Sequence, residues 1–151
     1  MHFNHILVTT DFSVDSKTAF ELAAYESKME GTRITLFHAV DDWNVPPGFE
    51  KAVPLPGAIE QYRKELLSHA EENLDALASE YFHQQNVETK ALLSEKEPAQ
   101  QIIEFAESEQ CDLIIMCSHG RGKFKSALMG STALKVMNGS DCPVMIVPRR
   151  S

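Results

Sequence analysis

Four short apolar runs and one alternating run, separated by stretches with helical spacing, constrain this chain more than any other feature. Ile6-Leu7-Val8 lies within the run His5 to Thr10, and a second run spans Ile34 to Val40. Leu113-Ile114-Ile115-Met116 and Pro143 to Val147 are equally short and apolar. Runs of this length, rich in β-branched residues and bounded by polar or turn residues, read as buried strands. Val87, Thr89, Ala91 and Leu93 instead alternate with polar residues, which predicts a third strand with one wet face, at an edge of the sheet. Between the strands lie helical patterns. Ser13 is placed to cap a helix running to about Glu30, with Phe20, Ala23 and Ala24 inward and Gly31 as its stop. Ile59, Tyr62, Leu66, Ala70, Leu74, Leu77 and Tyr81 recur at spacings of three and four, the clearest helix in the chain. Pro98 suits a first helical turn ahead of Ala99, Ile102, Ile103 and Ala106, and a last helix is predicted from about Ser126 to Asn138. The order βαβαβαβαβ requires parallel strands with helices on both faces. With right-handed crossovers this is an α/β fold: an open, doubly wound, five-stranded parallel sheet of order 3-2-1-4-5, Rossmann-like.

The 151 residues suffice for a single domain, 1–151. Fourteen Lys and Arg against 22 Asp and Glu leave a net charge of -8, which repels nucleic-acid phosphate at long range, so no nucleic-acid partner is expected. No apolar run approaches the roughly 20 residues of a membrane helix, so no membrane insertion is expected. The run from Met1 to His5 lacks a basic region followed by an apolar one, and the expected location is cytoplasmic. Three cysteines, Cys111, Cys117 and Cys142, fit reduced thiols better than a disulfide framework. Asn138-Gly139-Ser140 matches a glycosylation sequon but is read as a helix-ending turn.

Open parallel sheets bind ligands outside the carboxyl ends of their strands, where the winding reverses. In the order 3-2-1-4-5 that point lies between strands 1 and 4. The loops there are Thr9-Thr10-Asp11-Phe12-Ser13 and Cys117-Ser118-His119-Gly120-Arg121-Gly122-Lys123. Gly120 and Gly122 bare the backbone, and Arg121 and Lys123 bring cations to an acidic chain. Gly130-Ser131-Thr132 adds backbone N–H groups and two hydroxyls, and Asp11 can accept from a ribose hydroxyl or an adenine amine. These residues suit a nucleotide-phosphate site. They also suit a tight βα turn with solvated basic residues and glycines kept for packing. There is no G-x-x-x-x-G-K-[ST], and Gly120-Arg121-Gly122 does not continue to G-x-G-x-x-G, since position 125 is lysine.

Over essentially its full length the chain resembles the universal stress proteins. The resemblance rests on Ile6-Leu7-Val8-Thr9-Thr10-Asp11-Phe12-Ser13, Glu97-Pro98-Ala99 with Ile102 and Ile103, and Asp112-Leu113-Ile114-Ile115-Met116. It continues through Ser118-His119-Gly120-Arg121-Gly122, Leu128-Met129-Gly130-Ser131-Thr132 and Asp141-Cys142-Pro143-Val144. Members of that family that bind ATP carry G-x2-G-x9-G-[ST] after the fourth strand. Here the spacing is kept as Cys117-x2-Gly120-x9-Gly130-Ser131, with cysteine in place of the first glycine. The resemblance therefore implies an adenine nucleotide, ATP or else AMP or ADP, with Mg2+ or Mn2+ carried by the phosphates. It places Asp11 at the adenine or ribose with Thr9 and Thr10 beside it. Ala39 would meet adenine through its backbone, and Met116 would pack on the base. Gly120, Gly130, Ser131 and Thr132 would hold phosphate, with Arg121 and His119 near. Met116 has a plain alternative in core packing. The resemblance also implies a homodimer formed through the Val144–Val147 strand, as exposed edges tend to pair.

Three chemistries follow: a nucleotide-binding stress or signalling protein, a slow ATPase, or a non-binding dimeric interaction module with an unidentified protein partner. Hydrolysis needs a positioned water, a base and a metal, and His119 is the only obvious base. Ser118 beside it lacks a G-x-S-x-G elbow. No efficient enzyme is expected. Cys111 and Cys117 flank a strand, about 20 Å apart, and cannot share one zinc. His2, His5, His38, His69 and His83 show no ligand spacing, and His69 and His83 are expected on the long helix surface or its end. The proline-rich segment from Asp42 to Gly57, with Trp43, Phe49 and Val53, could cover the adenine pocket, pack on a partner subunit or dock another protein.

Overall fold

The computed structural model describes residues 2–28, 31–41, 57–83, 85–119 and 129–148. The elements alternate as expected: β1 (His5–Thr9), α1 (Lys17–Glu26), β2 (Arg33–Asp41), α2 (Ala58–Tyr81), β3 (Asn86–Ser94), α3 (Pro98–Ser108), β4 (Leu113–Cys117), α4 (Ser131–Gly139) and β5 (Val144–Val147). The five strands form one sheet in the order β3-β2-β1-β4-β5, every neighbouring pair parallel. The expected order 3-2-1-4-5 is the one found. β3 lies at an edge, as its alternating pattern requires.

Strand periodicity divides the core in two, because successive side chains point to opposite faces. Ile6, Val8, Ile34, Leu36, Leu113 and Ile115 pack with Phe20 and Ala23 of α1 and Leu74 of α2. Leu7, Phe37, Ile114 and Met116 pack on the other face with Ala99, Ile102 and Ala106 of α3 and Ala133 and Val136 of α4. Phe20 is fully buried, with Tyr81 edge-on at 5.3 Å and Phe82 at 6.1 Å between ring centroids. Burying each such side chain contributes roughly 1.5–3 kcal/mol.

Two helix starts differ from the sequence expectation. α1 begins at Lys17, not directly after Ser13. The four residues Ser13 to Ser16 form a turn of their own, with Ser13 Oγ accepting from the Ser16 N–H at 3.3 Å. α1 also stops at Glu26, ahead of the expected end, and Gly31 takes φ +92° on the way into β2. α4 begins at Ser131, not near Ser126. Gly130 before it is extended, with φ -61° and ψ 149°, and its N–H donates to the Ser118 carbonyl at 2.8 Å rather than into a helix. Residues 126–128 lie outside the described residues. Asn138-Gly139-Ser140 does end this helix, the Ser140 N–H closing on the Val136 carbonyl at 2.9 Å. His69 and His83 are exposed, as expected.

Candidate functional site

The sheet reverses its winding between β1 and β4, and the carboxyl ends of those strands carry the residues singled out from the sequence. Thr9 and Thr10 are buried at the end of β1, and Asp11 follows, half-buried. The Thr10 N–H donates to the Phe37 carbonyl at 2.9 Å, the last rung between β1 and β2. β1 then turns away while β2 runs on to Asp41. Since the Phe37 peptide faces β1, alternation turns the Ala39 N–H and carbonyl to the same side, into the space β1 vacates. A donor and an acceptor side by side on an extended backbone match the hydrogen-bonding edge of a planar amidine such as adenine.

The turn after β1 is held by a closed set of hydrogen bonds. The Thr10 hydroxyl accepts from the Phe12 N–H at 2.9 Å and donates to Ser16 Oγ at 2.9 Å. The Ser16 hydroxyl passes its own proton to the Ser13 carbonyl at 2.7 Å. Asp11 Oδ1 accepts from the Ser13 N–H at 3.0 Å, which orients the carboxylate. Phe12 sits in the left-handed region, φ 63°, an uncommon place for an aromatic residue. Its ring lies on the imidazole of His38, centroids 4.3 Å apart. The His38 Nδ1–H donates to the Thr10 carbonyl at 2.7 Å.

From β4, Met116 is buried in the same apolar cluster as Ala39 and Ile146. Cys117 points to the opposite face, its Sγ 3.7 Å from the Thr18 hydroxyl of α1. The chain then makes a two-sided junction. The Ser118 N–H donates to the Val147 carbonyl at 2.8 Å, and the Ser118 carbonyl receives the Gly130 N–H. Ser118 Oγ and His119 Nδ1 are 2.8 Å apart. Gly130 is the N-cap of α4 and makes no side-chain cap, so the first-turn N–H groups at exposed Ser131 and half-buried Thr132 have no cap among the described residues. Such a terminus attracts anions through its oriented N–H groups and its dipole. A Cβ at Gly130 would meet the Ser118 carbonyl at 3.2 Å, so glycine lets the two segments close on each other.

Ten of the twelve singled-out residues are therefore placed: Thr9, Thr10, Asp11, Ala39, Met116, Cys117, His119, Gly130, Ser131 and Thr132 all stand at the carboxyl ends of β1, β2 and β4 or at the start of α4. Gly120 and Arg121 lie outside the described residues, as do Gly122, Lys123 and the segment 42–56 with Trp43, Phe49 and Val53. Sequence reasoning missed Phe12 and His38 as members of the site. Nothing local to Phe12 announces a positive φ, and the partner that compensates it is 26 positions away.

Cys111 and His5 form a second polar cluster at the opposite, amino end of the sheet. His5 Nε2 is 2.8 Å from Thr35 Oγ1, its Nδ1 is 3.0 Å from the Arg33 guanidinium, and Cys111 Sγ is 3.4 Å from Nδ1. Burial pushes the Cys111 thiol up to about 12, helped by Cys142 nearby. Among the described residues no three His, Cys, Asp or Glu side chains converge on a point that could hold a metal. Among them, too, no helix is long and apolar enough to cross a membrane.

The model of the universal stress protein family matches residues 2–148. A universal stress protein from Thermus aquaticus, named for its place in the QAH/OAS sulfhydrylase 3' region, is 32% identical over 149 residues, 96% of this chain and 98% of that protein. The solved structure of MJ0577, a universal stress protein of Methanocaldococcus jannaschii, superposes with a TM-score of 0.85 at 24% identity, covering 100% of this chain and 99% of the other. A universal stress protein from Archaeoglobus fulgidus, solved in complex with dAMP, superposes with a TM-score of 0.58 at 21% identity over 97% and 98% of the two chains.

Proposed function

The chain belongs to the universal stress protein family, and from that premise we propose that it binds an adenine nucleotide, ATP foremost, at the carboxyl ends of β1 and β4. It does so as a cytoplasmic stress-response or signalling protein of one domain, working as a homodimer and turning ATP over weakly at most. The observation that carries this reading is the meeting of three elements at the switch point. These are the fixed Asp11 carboxylate, the Ala39 peptide facing vacated space, and the glycine-capped start of α4. The dAMP complex of the Archaeoglobus relative supports the same ligand class.

In this reading the Ala39 N–H and carbonyl meet the adenine edge, and Met116 lies below the base. Asp11 accepts from ribose or the exocyclic amine. The N–H groups of the first turn of α4, the Ser131 and Thr132 hydroxyls, His119 and the segment with Gly120 and Arg121 hold phosphate. A Mg2+ or Mn2+ ion would be carried by the phosphates and would neutralise their charge. Cys117 in place of the first motif glycine is compatible with this reading because its sulfur is turned toward Thr18.

The test begins with the protein purified gently, denatured, and assayed for released nucleotide by anion exchange and mass spectrometry. Calorimetric titration of ATP with Mg2+ into the stripped protein follows. The expected result is co-purified or titratable ATP, lost in Gly130→Val and in Asp11→Ala with folding retained. Absence of binding at millimolar ATP would leave the dimeric interaction module, whose partner a pull-down would then have to find.

A further inference from the structure

We infer that His38 is a positioning residue of this site, one that fixes the Asp11 turn against the end of β2 so that the Asp11 carboxylate and the Ala39 peptide face one base together. The inference rests on the nucleotide reading above and adds a determinant of base discrimination to it. Asp11 and Ala39 belong to different elements, and the last backbone rung between β1 and β2 is Thr10 to Phe37. Beyond that rung, the side chain of His38 contacts both flanks of the Asp11 turn. Its Nδ1–H is committed to the Thr10 carbonyl at 2.7 Å, one residue before Asp11. Its ring lies against Phe12 at 4.3 Å, one residue after Asp11. Asp11 is thus bracketed on both sides by contacts to the residue that immediately precedes Ala39.

The backbone at Phe12 shows that this contact matters. A φ of 63° disfavours any residue with a Cβ, and the turn holds it through the Thr10 and Ser16 hydroxyls and the ring contact together. Removing the imidazole takes away one of those restraints and the side-chain tie to β2, while leaving the Thr10–Phe37 rung and the hydroxyl chain within the turn. The Asp11 carboxylate then keeps its bond to the Ser13 N–H but loses its fixed distance from the Ala39 peptide.

The experiment is displacement of a fluorescent ATP analogue by ATP and by GTP from the full chain and from His38→Ala and His38→Asn, with thermal unfolding of each. One hydrogen bond and one ring contact together correspond to about a tenfold change in affinity. The expected result is ATP binding about tenfold weaker in His38→Ala and a smaller preference for ATP over GTP. His38→Asn, whose amide can still donate to the Thr10 carbonyl, should recover part of both. A folded His38→Ala with unchanged ATP affinity overturns the inference. So does equal weakening of ATP and GTP, which would mark a general loss of structure. If the unsubstituted chain binds neither nucleotide, the nucleotide reading itself falls, a result distinct from either of those.

Discussion

His5 shows how one buried side chain sets a pH limit on the fold. It is 4% exposed, and burial, with Arg33 alongside, holds the ring below its ordinary value of 6.5 against the pull of the Glu109 carbonyl. Below 6.5 the unfolded chain takes up a proton that folded His5 resists. Its contribution is therefore complete above that pH and is lost as pH falls toward the lower folded value. Asp112 acts in a separate, more acidic window. Burial alone would raise it, but the N–H groups of Asn4 and His5 and the Asn4 amide hold it below 3.8. Its share persists until pH falls through that depressed value. Thermal unfolding between pH 8 and 5 should thus show a declining melting temperature below about 6.5, and His5→Gln should flatten that decline. An identical slope in the two proteins would assign the decline to other groups.

Among the elements, β5 is an edge strand of the sheet. Its four residues are half-buried and it closes one end of the sheet. The Pro143 and Val147 carbonyls accept from Ile114 of β4 and from Ser118 just after it, so alternation turns the peptide groups of Val144 and Ile146 outward. An outward row of N–H and carbonyl groups on an apolar strand is a template for a second strand. If the proposed homodimer forms there, hydrogen exchange at the Val144 and Ile146 amides should be slow in concentrated protein and accelerate on dilution. Fast exchange at every concentration would show that this edge stays free. Helix α4, beside it, carries Leu134 and Met137 at 45% and 43% exposure, three residues apart on one face.

The described residues form one sheet with an apolar cluster on either side. Phe20 belongs to one cluster and Ile102 to the other, and the strands between them are shared. Loss of either cluster strips one face of the same strands, so the chain should unfold in a single transition. Phe20→Ala should cost about 3–5 kcal/mol and Ile102→Ala about 2–5 kcal/mol, both read from that one transition in urea. Two separate transitions would show that the faces are held independently and would count against a single cooperative domain.

The strand and helix order was legible from residue pattern alone, because periods of two and of 3.6 follow from local backbone geometry. The sheet order followed from that order and from the handedness of crossovers, which chain chirality sets. The positions of Asp11, Ala39 and Met116 at strand ends were legible for the same reason. The helix starts were not, since Gly130 gives its N–H to a carbonyl twelve residues back and the turn before α1 depends on Thr10 and Ser16 meeting. The direction of the Cys117 side chain, the left-handed Phe12 and its imidazole partner His38 also belong to the tertiary structure. Each depends on a contact between residues far apart in sequence, and a local pattern carries no information about such a partner until the sheet has brought it near.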